Sequence, residues 1–273
     1  MKVAVNGDEI FVGQGGMDWL DDRPVLVLQH GAGMNRTVWV LLARYFARHG
    51  YNVVAADLPG HGASEGQALG SIEQQAEHLW ALLDTLWQTE SLSSDRVVFA
   101  GHSMGALTVV EAAAQRPDKV EQLLLFGAAY PMPVAEALLD AAEANDQSAI
   151  DMISLFAHSF ASQLGHNAIA GISVLNSAMA MLEQTAPGVL FADLQACNDY
   201  KGLENAASRL ISSDALRVTV VSGDSDRMTP LKSARALAEQ LQAKHIMIDN
   251  CGHMMMSEQP ELTLQAVRSV LLQ

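Results

Sequence analysis

The 273-residue sequence is short of lysine, of cysteine and of long apolar runs. Lysine occurs only as Lys2, Lys119, Lys201, Lys232 and Lys244, and 16 basic against 31 acidic residues leave a formal net charge of −15. That balance speaks against nucleic acid and anionic membrane surfaces as partners, because both attract basic patches. The two cysteines, Cys197 and Cys251, lie far apart without ligand spacing, so neither a disulfide framework nor a zinc site is indicated. No stretch reaches the roughly 20 apolar residues of a membrane-spanning helix. The opening MKVAVNGDEIFVG has acidic residues where a signal peptide needs its apolar core. The expectation is a cytoplasmic protein without membrane insertion. No phosphate-cradling glycine loop and no metal-ligand cluster is visible, so no metal and no organic cofactor are expected.

What is present is a long alternation of strand-like and helix-like segments. The stretch from Val97 is a short apolar run of the kind buried on both faces and VLVLQ at 25–29 reads as a buried strand, while NVVAA at 52–56, QLLLF at 122–126, RVTVVS at 217–222 and HIMID at 245–249 read as further strands. Helical spacing separates them near 38–49, over 72–87 with Ile72, Ala76, Leu79, Leu83 and Leu86 on one stripe, after Gly105, over 232–241 and over 260–271. Strands alternating with helices predict an α/β fold, a mostly parallel, doubly wound sheet covered on both faces. One interval breaks the rhythm. About ninety residues separate Phe126 from Arg217, where a crossover needs about a dozen. Helical patterns at 134–144, 150–163, 168–184 and 188–200 fill it, which predicts a helical cap over 131–208 inserted into a core of 1–130 and 209–273.

The stretch RVVFAGHSMGALTVVEAAAQRP, residues 96–117, turns from strand into helix at Gly-His-Ser-Met-Gly. Gly101 and Gly105 have no Cβ, so strand and helix can close up around Ser103 held at strained dihedrals. A serine is a weak nucleophile without a base, and the base needs a third group to hold its tautomer. Candidates follow in order: Asp224 and Asp226 beyond the strand at 217–222, then His253 beyond the strand at 245–249. Both groups fall past the C-terminal ends of parallel strands, where open α/β sheets place their sites.

On these motifs the chain resembles the α/β-hydrolase-fold serine hydrolases over nearly its whole length, and within them the capped small carboxylesterases. The resemblance implies Ser103 as nucleophile and His253, in its Gly-His pair, as base. It implies Asp226 rather than Asp224 as the acid, because Gly223, Asp226 and Pro230 match the family's G-x-x-D-x-x-x-P. His30-Gly31 is similar to the family's oxyanion turn, which implies the backbone N–H groups of Ala32 and Met104 as oxyanion donors. Asp57, Gly60, Gly62 and Ser64 match a family loop expected to be structural. His30 and His61 are expected to orient loops, and His102 to point away from the site and anchor a loop. His78, His158, His166 and His245 are expected to be structural or solvated.

Serine at position 103 departs from the haloalkane dehalogenases and epoxide hydrolases of this fold, which carry aspartate there. From Pro131 to Tyr200 there is no Lys or Arg, which disfavours substrates with a carboxylate or phosphate needing a cationic partner. Relatives that cleave carbon–carbon bonds typically carry Trp after the histidine, where this chain has Met254. Methionine adapts to irregular apolar shapes, so Met132, Met152, Met179 and Met254 are candidates for lining a substrate pocket. They fit the cap's own core equally. The expected activity is hydrolysis of small to medium uncharged esters. The alternatives are a carbon–carbon bond hydrolase, a cofactor-free perhydrolase using the same residues, and a slow-turnover ligand receptor.

Overall fold

The computed structural model describes residues 1–89, 92, 94, 96–212 and 216–272. The chain opens with a hairpin of β1 (Lys2–Val5) and β2 (Asp8–Gly13), turning through Asn6 and Gly7 at φ values of 53° and 101°. Then come β3 (Val25–Gln29), α1 (Val40–Arg48), β4 (Asn52–Ala56), α2 (Ile72–Thr89), β5 (Val97–His102), α3 (Met104–Gln115) and β6 (Val120–Phe126). The helical interval holds α4 (Glu136–Glu143), α5 (Gln147–Ala157), α6 (Phe160–Gln163), α7 (Val174–Leu182), α8 (Val189–Asp199) and α9 (Leu203–Ile211). β7 (Arg217–Gly223), α10 (Leu231–Gln240), β8 (Lys244–Ile248), α11 (Met255–Glu258) and α12 (Pro260–Leu271) complete the chain.

The eight strands make one sheet in the order β1-β2-β4-β3-β5-β6-β7-β8. Pairs from β4 to β8 are parallel, and β1 and β2 join antiparallel at the edge. Because side chains alternate along a strand, each central strand feeds two cores. Val27, Phe99, Leu123, Leu125 and Val220 pack with α2, α3, α9 and α10, whereas Leu28, Val98, Ala100, Leu124 and Val221 pack with α1 and α12. This explains why the strands read as unbroken apolar runs.

The helical interval differs from its expected outline in three places, one of them at the start of α7, which begins at Val174 and not at 168. The helix expected over 150–163 is split, because the Ala157 carbonyl turns away to accept the N–H groups of His253 and Met254 at 2.7 and 3.3 Å. Ser159 then starts a new short helix. At the far end α9 runs across the expected boundary at 208, and its Leu203, Ala206, Ala207 and Leu210 join the core cluster that includes α3. Helices α4, α5, α7 and α8 form a third apolar cluster that closes on Met34 and Met254 of the core loops. Among the described residues no helix is long and apolar enough to cross a membrane.

Candidate active site

Ser103 sits between β5 and α3 at φ 54° and ψ −119°, a positive φ that a non-glycine residue seldom adopts. Its backbone N–H is tied to the Phe126 carbonyl at 2.8 Å. The flanking glycines are demanded by backbone, not by side chains. A Cβ at Gly101 would stand 2.2 Å from the Gly105 carbonyl oxygen, and one at Gly105 would stand 2.4 Å from the carbonyl oxygen of His30. A larger residue at either place would drive helix and strand apart and release the turn that presents the serine.

The two acids after β7 have separate partners. Asp224 accepts from the N–H groups of Asn250 and Cys251 at 2.9 and 3.1 Å, fastening the turn after β7 to the turn after β8. Asp226 faces inward: its Oδ2 lies 2.8 Å from His253 Nδ1 and accepts from Thr229 Oγ1 at 2.6 Å. Its Oδ1 accepts from the N–H groups of Met228 and Thr229, both at 2.8 Å. Burial works to raise the Asp226 carboxyl, but the facing His253 and the hydrogen bonds from His253 and Thr229 outweigh it and hold the group below its ordinary value. With Nδ1 donating to a carboxylate, His253 keeps Nε2 free to take a proton. Close approach recurs at Gly223, where a Cβ would lie 2.2 Å from the Cys251 carbonyl oxygen, so β7 abuts the histidine loop directly.

Two further histidines fix the surroundings. His30 Nε2 accepts the Leu58 N–H at 3.0 Å and Nδ1 donates to the Gly31 carbonyl at 2.9 Å; burial and the nearby His61 push it down to about 3, so it stays neutral. His102 does anchor a loop, donating from Nε2 to the His253 carbonyl at 3.0 Å, but it does not point away. Its ring lies 4.7 Å from that of His253, and burial with the neighbouring His253 pushes it down to about 3. Asp57 is occupied by the Arg36 guanidinium and by the N–H groups of Arg36 and Ala63, so the loop from Asp57 to Ser64 is held as a unit. Glu258, nearly inaccessible at 1% exposure, accepts from Gly252 N–H at 3.0 Å and from Ser159 N–H at 2.9 Å, joining the histidine loop to the helical interval.

Ser103, His253, Thr229 and Ala32 all line one cavity of about 280 Å³ between the sheet and the helical interval. The rest of its wall is mostly apolar, including Met34, Val134, Leu138, Ile153 and Leu194. Of the four methionines expected there, Met132 and Met152 line it. Met254 does not. It is buried in the cluster between core and helical interval and borders a second groove on the other side. Met179 is half-buried on α7 and lies outside the cavity wall. Ala32 and Met104 are brought beside Ser103 by the turn after β3 and the start of α3; the Met104 side chain is fully buried, leaving only its backbone for the site. Arg36 is committed to Asp57, and among the described residues the one cation on the cavity wall is Arg227, whose guanidinium donates to the Leu155 carbonyl and stacks over Phe156. Thr229, Glu258 and the Ala157 carbonyl carry no signal in the sequence beyond their nearness to Asp226 and His253. Among the described residues no group of three or more His, Cys, Asp or Glu is placed to hold a metal.

Comparison with known proteins agrees with this architecture. A family model described as "Alpha/beta hydrolase family" matches residues 25–266. The chain is 31% identical to a pimeloyl-(acyl-carrier protein) methyl ester esterase of Aromatoleum aromaticum, covering 88% of this chain and 95% of that protein. It is 29% identical to an (E)-2-((N-methylformamido)methylene)succinate hydrolase of Acinetobacter baylyi, over 90% of this chain and 89% of that one. The crystal structure of an enol-lactonase from Burkholderia xenovorans superposes with a TM-score of 0.83 at 22% identity, covering the whole of both chains. The chain is a member of the alpha/beta hydrolase family.

Proposed function

We propose that the protein is a serine carboxylesterase for small to medium uncharged esters. The observation that carries this reading is the His253–Asp226 pair opening onto the same apolar cavity as the strained Ser103. Ser103 Oγ attacks the ester carbonyl carbon while His253 Nε2 takes its proton, and Asp226 stabilises the imidazolium. The N–H groups of Ala32 and Met104 receive the oxyanion; Met104 N–H is the first of α3 and has no intrahelical acceptor. The alcohol departs with the proton from His253. Water then attacks the acyl group by the same route, releasing the acid and restoring Ser103. The helices α4–α8 act as the cap that excludes bulk water and shapes the pocket. A cavity near the lower end of the ~300–1,000 Å³ typical of ligand sites suits compact acyl and alcohol groups.

Esterase activity is named for one relative, and a hydrolase acting on a succinate derivative for another. A carboxylate-bearing substrate is therefore the second reading, favoured by Arg227 on the wall. Incubation with a fluorophosphonate is expected to add one group per chain, at Ser103, and Ser103→Ala is expected to abolish both labelling and p-nitrophenyl ester turnover without loss of fold. Labelling elsewhere, or turnover in the alanine variant, removes the assignment. A labelled protein with no turnover of any ester leaves the receptor reading instead.

A further inference from the structure

Gly33 follows Ala32 in the turn after β3, and the helical interval, not the core, holds both of its backbone polar groups. Its N–H donates to Asp193 Oδ2 on α8 at 2.8 Å, and its carbonyl accepts from Thr185 Oγ1, just past α7, at 2.7 Å. Gly33 has φ +64°, and a Cβ there would stand 2.9 Å from Leu190 and 3.0 Å from Leu182. Turn and helices therefore meet closely, and the positive φ itself favours glycine there.

Residues 31–34 form a tight turn in which Met34 N–H donates to the Gly31 carbonyl at 3.2 Å. That bond orients the Gly31–Ala32 peptide, whose N–H is the oxyanion donor. Thr185 holds the carbonyl of the Gly33–Met34 peptide, whose N–H makes that closing bond, and the middle peptide, Ala32–Gly33, takes no part in it. Asp193 holds its N–H. Asp193 is itself buried, and its Oδ2 also meets His61 Nε2 at 2.8 Å, while His61 Nδ1 donates to the Pro59 carbonyl at 3.0 Å. Both ring nitrogens of His61 thus face acceptors. Burial alone would lower this ring, but the Asp193 charge and hydrogen bond outweigh it and hold His61 above its ordinary value. Buried ion pairs are weak stabilisers, because desolvation offsets their attraction. Asp193 Oδ1 has no partner among the described residues, so the pair is a poor device for stability and a good one for placing a turn.

We infer that Asp193 and Thr185 are positioning residues for the oxyanion turn: by gripping Gly33 from both sides they aim the Ala32 N–H into the cavity, so the cap sets the rate of ester cleavage as well as enclosing the substrate. This rests on the esterase reading above.

The experiment compares wild type with Thr185→Val, Thr185→Ser and Asp193→Asn in p-nitrophenyl ester hydrolysis. Each is also titrated with a trifluoromethyl ketone, to which a catalytic serine adds to give a tetrahedral oxyanion. Losing one oxyanion donor outright costs ~10²–10³ in kcat, so a misaimed donor is expected to cost about 10-fold in Thr185→Val and up to about 100-fold in Asp193→Asn. KM is expected to stay within about twofold, because the interaction is made only in the transition state. The inhibition constant of the ketone is expected to rise by the same factor as kcat falls, and Thr185→Ser to restore both. Thr185 is half-buried and valine matches its shape, so this variant keeps its fold even should Asp193→Asn not. Wild-type kcat and ketone affinity in Thr185→Val, or a change in KM alone, overturns the inference while the esterase reading stands. Wild-type protein that cleaves no ester and binds no ketone overturns the esterase reading, and this inference with it.

Discussion

At the scale of single residues the candidate site separates side chains turned toward His253 from side chains that hold backbone. Asp224 and Asp226 show this most clearly, being two positions apart with unlike partners. Asp226 spends its Oδ2 on His253 and Thr229, whereas Asp224 spends both oxygens on the N–H groups of Asn250 and Cys251. Asp226→Asn is expected to lower kcat by about 10⁴-fold, by leaving His253 in the wrong tautomer, with little effect on unfolding. Asp224→Asn is expected to do the reverse. It leaves N–H groups poorly satisfied at a cost of about 1–3 kcal/mol, with turnover within about tenfold of wild type. Ester kinetics and urea unfolding of the two variants check this, and the opposite ranking would move the acid to Asp224. The sequence pattern around the acid was legible because its constraints are local: Gly223 must let β7 touch the Cys251 carbonyl, and Pro230 immediately precedes α10. Asp193 was not legible. It is a lone acid in the middle of a helix, and what gives it a role is contact with Gly33 and His61, 160 and 132 residues away in the chain.

At the scale of elements, the sheet is readable wherever a strand is buried on both faces. The strands from β3 to β7 lie at or within two residues of the apolar runs that mark them, and β8 does too although it is a half-exposed edge strand. The edge hairpin follows a different rule: β1 and β2 are half-exposed, and the signal that finds them is Asn6-Gly7, whose paired positive φ values suit a two-residue hairpin turn. The helical interval is least readable at its joints. Periodicity runs smoothly through Ala157 to Gln163, but the Ala157 carbonyl is claimed by the histidine loop and the helix breaks there. Tertiary hydrogen bonding wins over local propensity. Glu258 completes the joint with one oxygen on each side, Gly252 and Ser159. Glu258→Gln replaces one acceptor by a donor facing an N–H, so a loss of about 1–3 kcal/mol in unfolding free energy is expected. Because Gly252 precedes His253, kcat is expected to fall as well. Unchanged denaturation midpoint and kcat would show that the joint is held by the Ala157 carbonyl alone.

At the scale of the whole molecule, a net charge of −15 surrounds a cavity whose wall, among the described residues, carries a single cation, Arg227. Two effects then oppose an anionic substrate. The overall field lowers its encounter rate, which salt screens over about 8 Å at physiological strength. Inside, a carboxylate would give up hydration against Leu138, Ile153 and Leu194, a penalty salt does not relieve. Arg227 offsets this only in part, because it is exposed, already donates to the Leu155 carbonyl and stacks on Phe156. A neutral ester is therefore expected to exceed its ω-carboxylate analogue of equal length in kcat/KM by at least about tenfold, or ~1.4 kcal/mol. Raising the salt concentration is expected to narrow that gap without closing it. Arg227→Gln separates the two substrate readings. If the cavity is built for neutral esters, the variant leaves kcat/KM for the neutral ester close to wild type and widens the gap only slightly. If wild type instead treats both esters alike at both ionic strengths, and Arg227→Gln selectively loses the anionic one, the apolar-cavity argument fails and Arg227 is the anchor of a carboxylate-bearing substrate.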